Sequence, residues 1–341
     1  MIDAPTAAPP PPPVVPAKPV RPPLPWLTIL VGGAAYGLVM RLVFGAWPFA
    51  REASGTGPML VSFLFVVPFV IGLWSVSRLP ADQRNVGSAI LLPWAPLFLF
   101  LGGTAALAIE GAICIVLAIP VFMFMASFGG LVALLALKTQ PSTATTSGIL
   151  VLPLLLAFGE QRIPVEDVVQ RSDESVHIAA PPERIWHLIN DANEIQPNEM
   201  ESGWAWRIGV PYPVSAITVD EDGGRVRKLV WQKGVHFDEP ILDWDENRYI
   251  RWRYRFDADS IPDGALDDHV RVGGAYFDLV DTSYRLEPEG DGTRLTIDVG
   301  YRVSTRFNWY SARLGRLLVD DAAKTILEFY RRRTEADGHD A

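Results

Sequence analysis

Four apolar stretches, three of them free of any charged side chain, follow one another in the first half of the chain and set the strongest limit on its fold. Trp26–Met40 continues past Arg41 through Leu42–Ala50; Ala53–Ser77, Asn85–Ile109 and Gly111–Leu137 follow. A hydrocarbon core about 30 Å thick is crossed by roughly 20 apolar residues in a helix. All four stretches meet that length, the first only if Arg41 is tolerated by snorkelling or by lining the bundle interior. A fifth, Gly148–Phe158, is too short alone and long enough when Ser142–Ser147 is added. Pro68, Pro93, Pro120 and Pro153 fall inside these stretches. They are expected as kinks, since proline is commoner in membrane helices than in soluble ones. The expected spans are about 26–48, 56–78, 86–109, 111–137 and, for the fifth, 143–159.

The charge divides at the same place as the hydropathy. Residues 1–159 hold 7 Lys/Arg and 4 Asp/Glu; residues 160–341 hold 23 and 35, so +3 and −12 make the total of −9. With five spans, Lys18, Arg21, Arg78, Arg84 and Lys138 fall on one side, and Arg51 and the acidic second half on the other. The positive-inside rule then puts the N-terminus in the cytoplasm and the second half across the membrane; four spans would reverse the latter. The expectation is a multi-pass integral protein of a bacterial cell membrane, its C-terminal domain on the non-cytoplasmic side. An acidic domain disfavours nucleic acid, whose phosphates need Lys/Arg clusters. It equally disfavours adsorption to anionic head groups.

Residues 1–25 include 11 prolines and are expected to be an extended, disordered tail, with a second such tail at 335–341. The single cysteine, Cys114, lies in an apolar run and reads as a small buried hydrophobe. Residues 160–173 read as a polar linker.

From Ser175 the pattern is that of a water-soluble domain, expected over 174–334. Val176 and Ile178 alternate with His177 as in a strand; Pro181 and Pro182 stop the ladder; Glu183 suits the positive end of a helix whose stripe is Ile185, Trp186, Leu188 and Ile189. Strands are expected at Trp204–Ile208, Val214–Val219, Arg225–Lys233, His236–Trp244, Tyr249–Phe256, Ala275–Leu286 and Thr293–Val303, several of them separated by turn residues. A long helix, about Trp309 to Arg333, carries Leu314, Leu318, Ala322, Ile326 and Phe329 as one stripe, and Arg331–Arg333 at its end as solvated charges. The fold class is therefore a membrane all-α region plus a soluble α+β domain, with a curved antiparallel sheet around a long C-terminal helix.

The segment "VHIAAPPERIWHLIND" resembles the opening strand and helix of the SRPBCC superfamily, also called START-like, helix-grip or polyketide cyclase/dehydrase-like. "GVPYPV" and "FDEPILDWDE" resemble a subgroup with an N-terminal membrane region. The resemblance covers roughly 172–334. It implies an apolar cavity under the terminal helix that binds lipids, sterols, polyketides or other hydrophobic molecules, with a minority of members catalysing cyclisation or dehydration.

Little catalytic chemistry is legible. No nucleophile elbow, zinc-protease helix or phosphate-binding loop occurs. The pairs His236/Asp238 and Asp267/His269 fall short of the three or four converging ligands a metal needs, so no metal and no cofactor are expected. Glu239, between Phe237 and Pro240, is the one acid–base candidate, useful only if burial raises its pKa. The cavity candidates are Trp252, Tyr254, Tyr276, Tyr301, Tyr310, Leu314 and Leu318, because Tyr and Trp join an apolar body to a polar tip. Trp252 and Tyr254 alternate with Arg251, Arg253 and Arg255, the solvent face of that strand. The expected function is a membrane-tethered binding module for a hydrophobic small molecule or lipid. Its alternatives are a cyclase/dehydratase-type enzyme and a ligand-free regulatory domain whose partner is a protein.

Overall fold

The computed structural model describes residues 25–46, 57–137 and 143–336. Most of the proline-rich segment, Arg51, Lys138 and the last five residues lie outside them. The first half is helical: α1 Pro25–Phe44, a π-helical turn Ser62–Val66 leading into α2 Val67–Ser77, α3 Val86–Leu91, α4 Trp94–Ala106, α5 Ala112–Ala136 and α6 Thr143–Glu160. Among the described residues three helical segments are long and apolar enough to cross a membrane: Trp26–Phe44, Val86–Ala106 and Ala112–Ala136; Ser62–Ser77 and Gly148–Glu160 are shorter apolar helices. The expected second span is thus curtailed. Its Gly57–Met59 is a single 3₁₀ turn, and the helix begins only where the Glu160 carboxylate accepts from the amides of Val61 (2.5 Å) and Ser62 (2.9 Å). Pro68 sits in the first turn of α2 and Pro93 separates α3 from α4, so these two mark boundaries; Pro120 and Pro153 lie inside helices, as expected.

Arg41 neither snorkels nor stands alone. Its guanidinium pairs with Glu110, which sits just before α5, and both side chains are nearly buried. The Arg41 end of α1, the Glu110 turn, the start of α2 and the end of α6 therefore share one end of the bundle. Inside it, α2 and α5 meet at glycines. A Cβ on Gly72 would lie 1.9 Å from the Ala126 carbonyl oxygen, and one on Gly129 would lie 2.0 Å from that of Phe69. Small residues permit this closeness where lipid removes the hydrophobic drive.

The second half folds as expected in outline. Its strands are β1 Val168–Ile178, β2 Asp191–Ala192, β3 Pro213–Glu221, β4 Gly224–Trp231, β5 His236–Asp245, β6 Tyr249–Arg253, β7 Phe277–Glu289 and β8 Gly292–Val303. They form one sheet in the order β1-β8-β7-β6-β5-β4-β3-β2, antiparallel throughout. Register shifts at Pro213/Ser215, Ile241/Asp243 and Leu279/Asp281 bend it, as bulges do. Helices α7 Pro182–Asn190, α8 Pro197–Met200 and α9 Trp204–Arg207 precede β3, and α10 Asn308–Ala336 closes the domain.

Four expectations need correction. The linker is shorter than 160–173, because β1 begins at Val168 and pairs along β8 to Val303. Trp204–Ile208 is helical: Asp321 on α10 accepts the first amide, from Trp204, at 2.5 Å, and this cap outweighs local strand propensity. The C-terminal arginines are not merely solvated. Arg333 makes a bidentate pair with Glu199 (2.7 and 2.8 Å) and donates to the Asn193 and Glu194 carbonyls, tying α10 to the segment before α9. Glu335 and Ala336, expected in a tail, extend this helix.

The Glu199 contact has a pH signature. Partial burial works to raise the Glu199 pKa, but the Arg333 hydrogen bond and the Gln196 amide hold it below the ordinary carboxylate range. A depressed folded pKa contributes stability above the unfolded value, and that stability is lost as the pH falls through the folded one. Thermal melts should therefore show R333A less stable than wild type at pH 7. The gap should narrow below about pH 4. A gap independent of pH would assign the loss to packing alone.

Candidate ligand cavity

Strand alternation builds one wall of the site. Arg227, Leu229 and Trp231 share the inner face of β4, and Trp252 with Tyr254 that of the β6 segment. Facing them, Leu314, Leu318 and Ile326 recur along α10 at helical spacing. The bent sheet and the helix do not close on each other, and the space between them is part of a cavity of about 360 Å³ that also borders the helical bundle. That size falls within the range of small-molecule sites, which are mostly apolar with a few placed polar groups.

The polar groups are concentrated at the deep end. Arg227 and Glu239 are cross-strand partners in the β4–β5 register, with Nη1 and Oε2 2.5 Å apart and side chains 6% and 3% exposed. Arg227 also donates to the Ile189 carbonyl (3.1 Å) and the Tyr330 hydroxyl (3.3 Å), and its guanidinium lies 4.9 Å from the Trp252 ring centre. Tyr284 stands edge-on to Tyr330 with ring centres 5.6 Å apart. Burial opposes the Arg227 charge, yet Glu239, Tyr330 and Tyr284 hold its pKa above the usual value. Burial pushes the Glu239 carboxyl up to about 7, against the pull of Arg227. A carboxyl so placed can give or take a proton near neutral pH. Burial also raises the Tyr254 phenol, whose oxygen lies 2.6 Å from Thr282 Oγ1.

Of the residues singled out from the sequence, Glu239, Trp252, Tyr254, Tyr276, Tyr310, Leu314 and Leu318 line the cavity. Glu239 is buried, as a role in acid–base chemistry requires. Tyr301 is not among the lining residues. It is fully buried beside Phe277 and its hydroxyl donates to Gln170 Oε1 at 2.9 Å, which makes it part of the core between β8 and β1. Tyr310 turns toward the helical bundle and donates to the Leu117 carbonyl at 2.7 Å. The Tyr276 hydroxyl is buried without a hydrogen-bond partner, as are the indole N–H groups of Trp206 and Trp231, all three residues on the cavity wall. Burial pushes the Tyr276 phenol up to about 12, so it remains a donor.

Arg227 and Tyr330 were missed. An available signal was the alternation that puts Arg227 on the same face as Leu229 and Trp231. Among the described residues no group of three or more His, Cys, Asp or Glu converges as a metal site. Asp238 is engaged by Arg255 and Lys228, while Asp267 faces the first turn of α5, 3.4 Å from the Cys114 amide.

Residues 169–335 match the family described as polyketide cyclase/dehydrase and lipid transport. A comparison of the chain with curated proteins returns no match. Among solved structures, a START superfamily protein from Mycobacterium smegmatis aligns at 16% identity and TM-score 0.33, covering 49% of this chain and 97% of the other. A protein from Thermus thermophilus aligns at 19% identity and TM-score 0.32, covering 49% and 99%. The di-domain ARO/CYC BexL from the BE-7585A biosynthetic pathway aligns at 11% identity and TM-score 0.31, covering 57% of each chain. Residues 169–335, just under half of the chain, are thus similar to the polyketide cyclase/dehydrase and lipid transport family.

Proposed function

We propose that the protein is a membrane-tethered binding module for a hydrophobic small molecule or lipid. The observation that carries this reading is the cavity: apolar walls, with buried polar groups at Tyr276, Trp206 and Trp231 that have no partner within the protein. A ligand with an apolar body and one or two polar atoms answers both features. The apolar helices supply the tether, and a tether holds the cavity at high effective concentration beside ligands dissolved in the bilayer. Five passes through the membrane, the two shorter apolar helices included, agree with the shared bundle end of Arg41, Glu110 and Glu160. Arg78, Arg84 and Lys138 then fall on the opposite, cytoplasmic side, and the ligand domain on the non-cytoplasmic one.

Solvent extraction of the purified full chain, followed by mass spectrometry, tests the reading. A reproducible apolar compound should accompany the wild type and be reduced in L318W, whose indole intrudes on the cavity beside Trp252. Equal recovery from both proteins, or none from the wild type, would reject it.

Glu239 supports a second reading, a cyclase- or dehydratase-type enzyme, because a buried carboxyl with a raised pKa faces the cavity. Its proton would pass to or from a ligand oxygen or an activated carbon. If any turnover survives E239Q unchanged, Glu239 is not the acid or base.

A further inference from the structure

The cavity does not stop at the edge of the domain. Its wall continues into the helical bundle along Ile113, Leu117 and Val121, one face of α5, and reaches Phe122. From Ala112 to Phe122 is about 15 Å of helix. On the domain side, the cavity stripe of α10 runs from Tyr310, packed with the bundle core, to Tyr330 at Arg227, about 30 Å. The space is therefore elongated and largely apolar, with the Arg227–Glu239 pair at its domain end and the Arg41–Glu110 pair and Thr104 on its wall in the bundle.

The junction between the two halves is built from specific contacts. Ile113 belongs to the same buried core as Ile178 and Trp252. Tyr310 donates to the Leu117 carbonyl, leaving that α5 face held against α10. Phe65 of the π-helical turn packs on Phe307 (6.0 Å) and Trp309 (5.7 Å). Asp267 sits on the positive end of α5, close enough that a Cβ on Gly111 would lie 1.9 Å from its Oδ1. A domain on a passive tether requires none of these.

Resting on the binding reading above, we propose that the membrane helices form the other half of the ligand site. They and the domain together take an elongated amphiphile with a long hydrocarbon chain. Its polar end lies at Arg227, Glu239 and Tyr330, and its chain runs past Leu318 and Leu314 to Leu117 and Val121. The ligand passes between bilayer and domain without crossing water, which an apolar chain of this length disfavours.

Photo-crosslinking tests this in the full chain reconstituted in lipid nanodiscs, with a very-long-chain fatty acid (triacontanoic acid, long enough to reach from Arg227 to Val121) carrying a diazirine near its methyl end as the probe. Mapping by peptide mass spectrometry should find adducts on Ile113–Val121 as well as on α10, both suppressed by excess unlabelled triacontanoic acid. Adducts on the outward-facing Phe124 and Leu135 should be insensitive to the competitor and show that the probe is in the bilayer. L117W should remove the α5 adducts and shift those on α10 toward its C-terminal half. Because suppression is read in the wild type, the result does not depend on that variant folding. Saturable adducts on α10 with none on Ile113–Val121 would overturn the shared site and leave the binding reading intact. No saturable adduct anywhere would overturn both.

Discussion

Replacing Arg227 with methionine alone should destabilise the domain by about 3–5 kcal/mol, because it strands a buried carboxyl without its countercharge. The loss should exceed that of an exposed arginine such as Arg294, whose pair with Glu289 is screened by solvent. The double variant R227M/E239Q should recover part of the loss, since it no longer carries an unpaired charge. Denaturant melts of the four proteins, wild type, each single variant and the double, give the coupling directly. The pH dependence of R227M has a definite sign. Without Arg227 the folded pKa of Glu239 lies still further above its unfolded value. Stability is then greatest below about pH 4.3 and falls as the pH rises toward the folded pKa. Additive losses in the two single variants would mean that the pair is not a unit.

The second large effect is expected in the bundle. A leucine at Gly72 or Gly129 meets a backbone carbonyl oxygen within about 2 Å, and neither carbonyl can rotate out of a helix. Overpacking a core commonly costs about 1–3 kcal/mol, and more when main chain must move. G72L and G129L should therefore separate α2 from α5, seen as loss of the monodisperse full chain in detergent. G102L, where a new Cβ has no atom within 4 Å, should be tolerated. Equal behaviour of the three variants would show that the α2–α5 contact does not hold the bundle.

Much of the domain was legible because its elements obey short-range rules. Pro182 and Glu183 start α7, and Ile185, Trp186 and Ile189 are the side chains it buries. Strand alternation in β6 correctly put Trp252 inside and Arg251 outside, where Arg251 meets Asp243 at 2.6 Å. The failures came where distant groups decide. Trp204–Arg207 is a helix because Asp321 caps it from far along the chain. Arg227 was not singled out, because its burial depends on the β4–β5 register, which sets it opposite Glu239. Tyr301 has a lining residue's composition and position, but its hydroxyl is satisfied by Gln170 across the β1–β8 pair. That the cavity continues along α5 could not be read from either half, because it depends on how the halves dock.

Binding as the function requires that the space under α10 hold a ligand. An experimental structure of the full chain in native-lipid nanodiscs measures this most directly. Elongated density is expected from the Arg227–Glu239 pair, between Trp252 and Leu318, toward Leu117. A cavity filled by its own side chains, or occupied only by separate water-sized features, would contradict it.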